Sequence, residues 1–258
     1  MKALKSFAHL VEIMAELRSS HGCPWDRAQN HASIRPYCIE EAYEVVEAIE
    51  EGDPMKLREE LGDLILQVVF HAQLAKEART FDIHDVLQSI NEKLVRRHPH
   101  VFQEQVGKKV TTPEEVLEKW ADIKRREGRE HLLDGIPKAL PALMRATRVG
   151  EKAKSVGFDW KTAQEVWRKV EEELLEVKEV EKDSNKIEEE FGDLLFALVS
   201  LARHLKIDAE SSLRKATFKF EKRFQWIEKE SQRQGHELSD LDPQQLDALW
   251  NRAKREMI

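Results

Sequence analysis

The segment 172–196 contains two groups of acids separated by a short charged gap. It begins with Glu172-Glu173-Leu174-Leu175-Glu176 and ends with Glu190-Phe191-Gly192-Asp193-Leu194-Leu195-Phe196. Residues three apart share one face of a helix. The pattern EExxE followed by ExxGD therefore predicts two neighbouring helices that present four carboxylates, a set suited to a divalent metal ion.

The same pattern occurs earlier, as Glu40-Glu41-Ala42-Tyr43-Glu44 and Glu60-Leu61-Gly62-Asp63-Leu64-Ile65-Leu66. Its four acids, Glu41, Glu44, Glu60 and Asp63, align with Glu173, Glu176, Glu190 and Asp193. Other residues also stay in register: Lys56 with Lys186, Lys93 and Arg97 with Lys219 and Arg223, and Trp120 and Lys124 with Trp250 and Lys254. Chance does not align so many polar residues, so the chain is an internal duplication.

The duplication predicts two domains of similar size. We expect an N-terminal domain at 1–128, a linker and connecting helix at 129–154, and a C-terminal domain at 155–258. The linker is indicated by Gly135, Pro137 and Pro141, which interrupt regular structure.

Apolar residues recur at helical spacing, and no segment alternates as a strand does, so the sequence predicts an all-α fold. The predicted helices span about 2–19, 33–51, 54–78, 82–97, 112–128, 140–155, 162–182, 184–205, 208–234 and 242 onward, with 20–32 as a loop. The segments after Asp63 and Asp193 are apolar on all sides, and we expect them to be buried, with the acids at the mouth of a core.

Composition narrows the functional class. Charged residues make up 35% of the 258 residues, with a net charge of −7. An acidic protein of this kind is not expected to bind nucleic acid. The first twenty residues lack an apolar core and predict neither a signal peptide nor a membrane span. Two cysteines predict free thiols in a reducing cytoplasm.

Among metals, Mg²⁺ fits the acids best, because it prefers hard oxygen ligands and is commonly completed by substrate phosphates. Di-iron bundles use Glu-x-x-His pairs, which the chain lacks. Zinc is disfavoured because Cys and His are not clustered. His98 and His100 are interpreted as a helix end, and Gly62 and Gly192 as either packing notches or openings for a ligand.

Basic residues indicate what such a metal acts on. Lys219, Lys222 and Arg223 form a row that suits a polyphosphate, and Lys169 lies one turn before Glu173. Trp250 is either a base-stacking residue or a core anchor.

These motifs together resemble the MazG family of nucleoside triphosphate pyrophosphohydrolases, within the all-α NTP pyrophosphatase superfamily. The resemblance rests on GCPWD at 22–26, RRHPHVF at 96–102, LPALMRA at 140–146, VGFDW at 156–160 and the acidic pairs. It implies two tandem MazG-type helical bundles, a homodimer, Mg²⁺ dependence and hydrolysis of NTPs and dNTPs to NMP and pyrophosphate, mainly in the C-terminal domain.

The resemblance also implies roles for individual residues. The metal ligands would be Glu173, Glu176, Glu190 and Asp193, with a second, less active set at Glu41, Glu44, Glu60 and Asp63. Nucleotide contacts would come from Lys169, Glu172, Lys186, Glu189, Lys219, Lys222, Arg223 and Trp250. Glu172 or Glu173 would accept the proton of the attacking water. Lys169 aligns with Tyr37, so we expect turnover mainly in the second copy.

Two alternatives stay open at this stage. The first is a non-enzymatic helical adaptor whose acids only keep its surface soluble. The second is a pyrophosphatase of the same superfamily with a narrower nucleotide substrate.

Overall fold

The computed structural model describes residues 6–102, 112, 115–116, 131–181, 183 and 186–256. Within these residues every regular element is a helix, which confirms the all-α prediction. The chain divides into two compact units, Met1–Val116 and Leu117–Ile258. None of the described helices is long and apolar enough to cross a membrane.

The first unit is built around a helical hairpin. Its helices are α1 (Phe7–Leu17), α2 (Pro24–Ala28), α3 (His31–Glu51), α4 (Pro54–Glu77), α5 (Ile83–Arg97) and α6 (Pro99–Phe102). Helices α3 and α4 pack along each other, and α1 and α5 also contact α4. The buried cluster of this unit includes Met14, Ile34, Val69 and Phe70.

Local chemistry sets the ends of this hairpin. The Asn30 side chain accepts hydrogen bonds from the backbone N–H groups of Ala32 and Ser33 and so begins α3. Gly52 ends α3 in the left-handed conformation, at φ 70°, and Asp53 then caps α4. The predicted loop at 20–32 was wrong in part, because Pro24 starts a short helix and the Asn30 cap starts α3 before residue 33.

The second unit repeats the hairpin. Its helices are α7 (Ala142–Lys154), α8 (Ala163–Glu179), α9 (Ile187–His204), α10 (Ala209–Arg233) and α11 (Pro243–Glu256), with a 3₁₀ turn at Leu238–Asp240. Helix α8 packs along α9, α7 contacts α9 and α10, and α10 contacts α11. Thr162 and Asp208 cap α8 and α10, as their positions predict.

Some predictions fall on residues that are not described. These are Trp120, Lys124, Ser184, the boundary at residue 128 and, apart from residues 112 and 115–116, the helix at 112–128. Lys186 is the N-cap of α9, so that helix begins three residues later than predicted.

Helices α4 and α9 bury one face only, which corrects the expectation that their apolar segments are buried on all sides. Val69 and Val199 are buried, whereas Ile65, Leu195 and Leu198 are exposed. The reason is that within each unit the hairpin helices have neighbours on one side. The opposite side of α9 keeps an exposed apolar stripe.

An ion pair closes the end of the second hairpin that lies away from the acids. The Arg203 guanidinium donates two hydrogen bonds to the Asp159 carboxylate, one of them 2.6 Å long, and each side chain is 11% exposed. Arg203 lowers the pKa of Asp159, and lost solvation opposes this effect only in part. The pair therefore holds the chain that enters α8 against the last turn of α9.

We predict that Arg203→Met lowers the free energy of unfolding by about 3 kcal/mol at pH 7, because the largely buried Asp159 carboxylate then keeps only the Trp160 N–H and His204 beside it. Urea unfolding measures this loss. Since the pKa of Asp159 is depressed in the folded state, the pair stabilises the protein above pH ~4 and is lost as pH falls through the folded pKa. The variant is expected to lack that acid-dependent loss.

Arg148→Met is the control, since the Arg148–Glu151 pair is exposed. Its expected change is within about 0.5 kcal/mol. Equal destabilisation by the two substitutions would contradict the role given to Arg203.

Candidate metal centre

Three acids meet where α8 and α9 approach their connection. One carboxylate oxygen from each of Glu173, Glu190 and Asp193 lies within 4.8 Å of the other two, and we call these residues the C-terminal cluster. Glu173 comes from the second half of α8, whereas Glu190 and Asp193 lie in the first two turns of α9. The predicted spacing therefore brings Glu173, from the EExxE motif, close to Glu190 and Asp193, from the ExxGD motif.

Glu173 is the least exposed acid of this cluster, at 5%. Its Oε1 lies 2.7 Å from the Lys169 ammonium, while its Oε2 is buried and has no hydrogen-bond partner among the described residues. A buried carboxylate oxygen without a partner is costly in free energy. A cation beside Oε2 would satisfy it.

Glu176 adds a fourth carboxylate. Lost solvation, followed by the adjacent Glu173 carboxylate, raises the pKa of Glu176, and Glu190 contributes in the same direction. Lys169 opposes this shift. Glu176 is thus close enough to Glu173 and Glu190 for their carboxylates to repel one another, although it is not one of the three acids of the C-terminal cluster.

Lys169 bridges two acids of α8. Its ammonium lies 2.6 Å from Glu172 and 2.7 Å from Glu173, and these two hydrogen bonds raise the pKa of Lys169. The amine is therefore fully charged near neutral pH. One positive charge is thus held beside the C-terminal cluster.

The first hairpin has a matching arrangement. Glu41, Glu60 and Asp63 place one oxygen each within 4.8 Å of the others, and we call them the N-terminal cluster. Lost solvation, then Glu44 and Asp63, raise the pKa of Glu41. Lost solvation, then Glu44 and Asp63, also raise the pKa of Glu60. Three acids of each predicted set of four therefore lie together, and Glu44 and Glu176 lie outside these groups of three.

Sequence reasoning missed one residue of the first site. The Gln67 amide nitrogen donates a hydrogen bond of 3.3 Å to Glu41, and the side chain is buried. Its repeat equivalent is Ala197, also buried. Aligning the residues that follow Asp63 and Asp193 in the two repeats reveals this difference between Gln67 and Ala197.

The clusters fit a hard divalent cation. All their ligand atoms are carboxylate oxygens, which Mg²⁺, Mn²⁺ and Ca²⁺ prefer. A Cβ added at Gly62 or Gly192 would meet no atom within 4 Å, so neither glycine is a packing notch within its unit. His98 is the C-cap of α5, as predicted for a helix end.

The other predicted nucleotide contacts occupy different elements. Lys186 and Glu189 are exposed at the start of α9, where Lys186 is the N-cap. Lys219 is exposed on α10, and the Lys222 ammonium lies 4.9 Å from the centre of the Phe218 ring. Lys219 and Lys222 therefore place positive charge on the surface of α10.

Trp250 packs inside the second unit. Its ring lies 5.0 Å from that of Phe220 and 5.9 Å from the Arg223 guanidinium, and it borders the cluster of Ile227, Leu249 and Ala253. This environment supports the anchoring role. Base stacking by Trp250 stays a prediction.

These features define the class as a duplicated all-α protein in which each hairpin carries a carboxylate cluster that could hold a metal ion. The family model described as the MazG nucleotide pyrophosphohydrolase domain matches it twice, at residues 29–102 and 161–227. The chain belongs to the MazG family. Each match spans one acidic cluster.

Relatives share most of the chain. It is 49% identical to the nucleoside triphosphate pyrophosphohydrolase/pyrophosphatase MazG of Thermotoga maritima, over 96% of this chain and 95% of that protein. It is 44% identical to the nucleoside triphosphate pyrophosphohydrolase of Escherichia coli K12, over 96% and 97%. A crystal structure of a mazG-related protein from Thermotoga maritima covers 46% of this chain and 98% of its own, at 30% identity and a TM-score of 0.39.

We predict that Glu176→Gln raises the melting temperature in EDTA, because it removes one of the carboxylates that repel each other. The same substitution should reduce the extra stabilisation that added Mg²⁺ gives the wild-type protein. Thermal melts with EDTA and with Mg²⁺ measure both effects.

Glu179→Gln, at the exposed end of α8, is the control. It should leave the metal-dependent rise intact. A Glu176→Gln protein that melts lower in EDTA and keeps the whole Mg²⁺-dependent rise would contradict the cluster's assignment.

Proposed function

We propose that the protein hydrolyses nucleoside triphosphates, both NTPs and dNTPs, to nucleoside monophosphates and pyrophosphate. The reaction depends on Mg²⁺ and takes place mainly in the C-terminal unit. The observation that carries this proposal is Glu173, a buried carboxylate with one oxygen held by Lys169 and the other without a partner. The names of the Thermotoga and Escherichia relatives support the substrate class.

The ligands in this proposal are Glu173, Glu176, Glu190 and Asp193. A Mg²⁺ ion bound there would neutralise phosphate charge and lower the pKa of a water molecule. Hydrolysis at the α-phosphorus then yields NMP and pyrophosphate.

Lys169 is ion-paired with Glu173 and is placed to bind a phosphate. Its ammonium already lies within hydrogen-bond distance of two carboxylates, so a phosphate oxygen can take the place of the exposed Glu172. Stabilising negative charge on the departing pyrophosphate favours the transition state. Lys186, Lys219, Lys222 and Arg223 complete the proposed phosphate contacts, with Glu189 and Trp250 as further nucleotide contacts.

The proton acceptor is one of the two adjacent acids of α8. Glu172 is exposed and accepts a hydrogen bond from Lys169. It is not one of the three acids of the C-terminal cluster. Its release from Lys169, when a phosphate binds the ammonium, leaves a carboxylate that can accept the proton of water. In the alternative assignment, Glu173 is both a metal ligand and the acceptor of the water proton.

Catalysis is assigned mainly to the second copy because Lys169 has no counterpart in the first. Tyr37 occupies that position, where it lies 6.4 Å from the Trp25 ring. A neutral phenol cannot neutralise a triphosphate as an ammonium does.

A homodimer is also part of the proposal. Phe191, Leu195 and Leu198 follow one another at helical spacing on α9 and are exposed, Phe191 at 52%. Contiguous exposed apolar surface of this kind favours association with another helix. Sedimentation as a single chain at micromolar concentration would contradict the dimer. Location in the cytoplasm and the lack of nucleic-acid or membrane partners stay predictions.

We predict that Glu190→Gln lowers kcat/KM for dNTP hydrolysis by about 100-fold or more, because a direct ligand matters at least as much as its supporting neighbours. The matched substitution in the first copy, Glu60→Gln, should change kcat/KM less than about three-fold, within ordinary variation. Pyrophosphate release with Mg²⁺ measures both.

Equal losses in the two variants would contradict the assignment to the second copy. Unchanged hydrolysis in Glu190→Gln would contradict the site itself. Melting temperatures in EDTA that are no lower than that of the wild type would exclude unfolding as the cause of either loss.

A further inference from the structure

Two histidines join the helices of the first hairpin at the end farther from the Gly52 turn. His31 is the first residue of α3, and His71 lies in the last third of α4. Their Nδ1 atoms are 2.8 Å apart, and their ring planes differ by 8°. Because this distance is shorter than the contact of about 3.5 Å between stacked atoms, the two rings meet through a hydrogen bond between their nitrogens.

This hydrogen bond requires one proton between the two nitrogens. A neutral imidazole has one N–H donor and one acceptor nitrogen, whereas a protonated imidazole has two donors. One Nδ1 must therefore donate while the other accepts. When acid protonates both rings, two donors face each other between two positive charges, and the contact changes from attractive to repulsive.

The surroundings of the pair also oppose two positive charges. His71 is half-buried, and lost solvation, followed by the charge of His31, lowers the pKa of His71. His31 stands at the N-terminus of α3, where the backbone N–H groups carry partial positive charge. Arg35, exposed one turn further along α3, adds another positive charge at this end of the hairpin.

Charged groups on the adjoining helices have partners of their own. Arg18, the C-cap of α1, is ion-paired at 2.7 Å with Glu77 at the end of α4. Arg27 of α2 donates to the Ser20 carbonyl. On α5, the acids of the first turn are engaged in its capping box, which consists of Asp82 and Asp85. These carboxylates are therefore committed to other groups.

The second hairpin shows that the same positions can be filled by an apolar contact. The repeat aligns His31 with Ala163 and His71 with Leu201. Leu201 belongs to the buried cluster of the second hairpin, and Ala163 packs against that cluster. Packing alone thus joins the helices of the second hairpin, whereas the pair in the first hairpin adds a dependence on protons.

We propose that His31 and His71 form a proton-sensitive clamp, which joins the start of α3 to α4 while the rings share one proton and opens when both rings are protonated. The sign of the pH dependence follows from His71. Because its pKa is depressed in the folded state, the clamp stabilises the hairpin above pH ~6.5 and is lost as pH falls through the folded pKa. The proposal concerns neither acidic cluster and is independent of the proposed hydrolysis.

The test is amide hydrogen exchange of the full chain at about pH 7.5 and about pH 5.0. EDTA is present throughout, because imidazoles also bind transition metals. In the wild type, protection factors in 34–40 of α3 should fall about ten-fold relative to those in the matching segment 166–172 of α8, since local opening exposes the start of α3. The double variant His31→Ala/His71→Leu carries the residues of the second hairpin and should show no such relative fall.

The two single variants complete a double-mutant cycle. Their coupling, read from the same protection factors, should be about five-fold at pH 7.5, as expected for one hydrogen bond, and should vanish or reverse at pH 5.0. His21→Ala is the control, because it removes a histidine whose side chain is 73% exposed. It should leave the relative fall intact.

A wild-type protein in which 34–40 keep their relative protection at pH 5.0 would overturn the clamp. So would a double variant with the same relative fall, or a coupling that is unchanged by acid. The acids Glu41 and Glu60 also gain protons as pH falls, but they do so equally in the double variant. Because no nucleotide is present, failure of the proposed hydrolysis would leave the exchange result standing, and the reverse holds too.

Discussion

Repulsion among carboxylates at one end of each helical hairpin is the constraint on which the site depends. The acids are held together by the packing of α3 on α4 and of α8 on α9, in contact with buried side chains such as Val170 and Ala197. The apolar core thus fixes like charges within 4.8 Å of one another. A divalent cation would relieve that repulsion, and its binding would then also stabilise the hairpin.

Duplication has produced two hairpins with the same acids and different surroundings. In the second, Lys169 occupies Oε1 of Glu173 and leaves Oε2 without a partner. In the first, Gln67 donates to Glu41 and itself retains a buried oxygen without a partner. Two differences one turn from the acids, Lys169 in place of Tyr37 and Ala197 in place of Gln67, therefore give the two clusters different surroundings.

Much of the architecture could be predicted because its signals are local. Asp53 and Asp82 cap helices through their own side chains, and Gly52 adopts the left-handed conformation that ends α3. The acids could be grouped because helical spacing and the repeat each constrain them. The same local rules failed at Pro24, where a single turn of helix interrupts a segment rich in loop-forming residues.

What could not be predicted depends on which neighbours a helix has. Periodicity indicated that α9 is apolar on all sides, yet Leu195 and Leu198 are exposed because none of the described helices of the unit covers them. The hydrogen bond from Gln67 to Glu41 could not be predicted, because it is a tertiary contact between α4 and α3. Trp250 left two interpretations open, and only its contact with Phe220 favours the anchor.

The central claim is that water attacks the α-phosphorus of a triphosphate in a metal-dependent reaction. Hydrolysis of a dNTP with Mg²⁺ in ¹⁸O-labelled water, followed by mass spectrometry of the products, tests it most directly. The account predicts the label in the nucleoside monophosphate and unlabelled pyrophosphate. Label in the pyrophosphate, or release of inorganic phosphate with a nucleoside diphosphate, would contradict it.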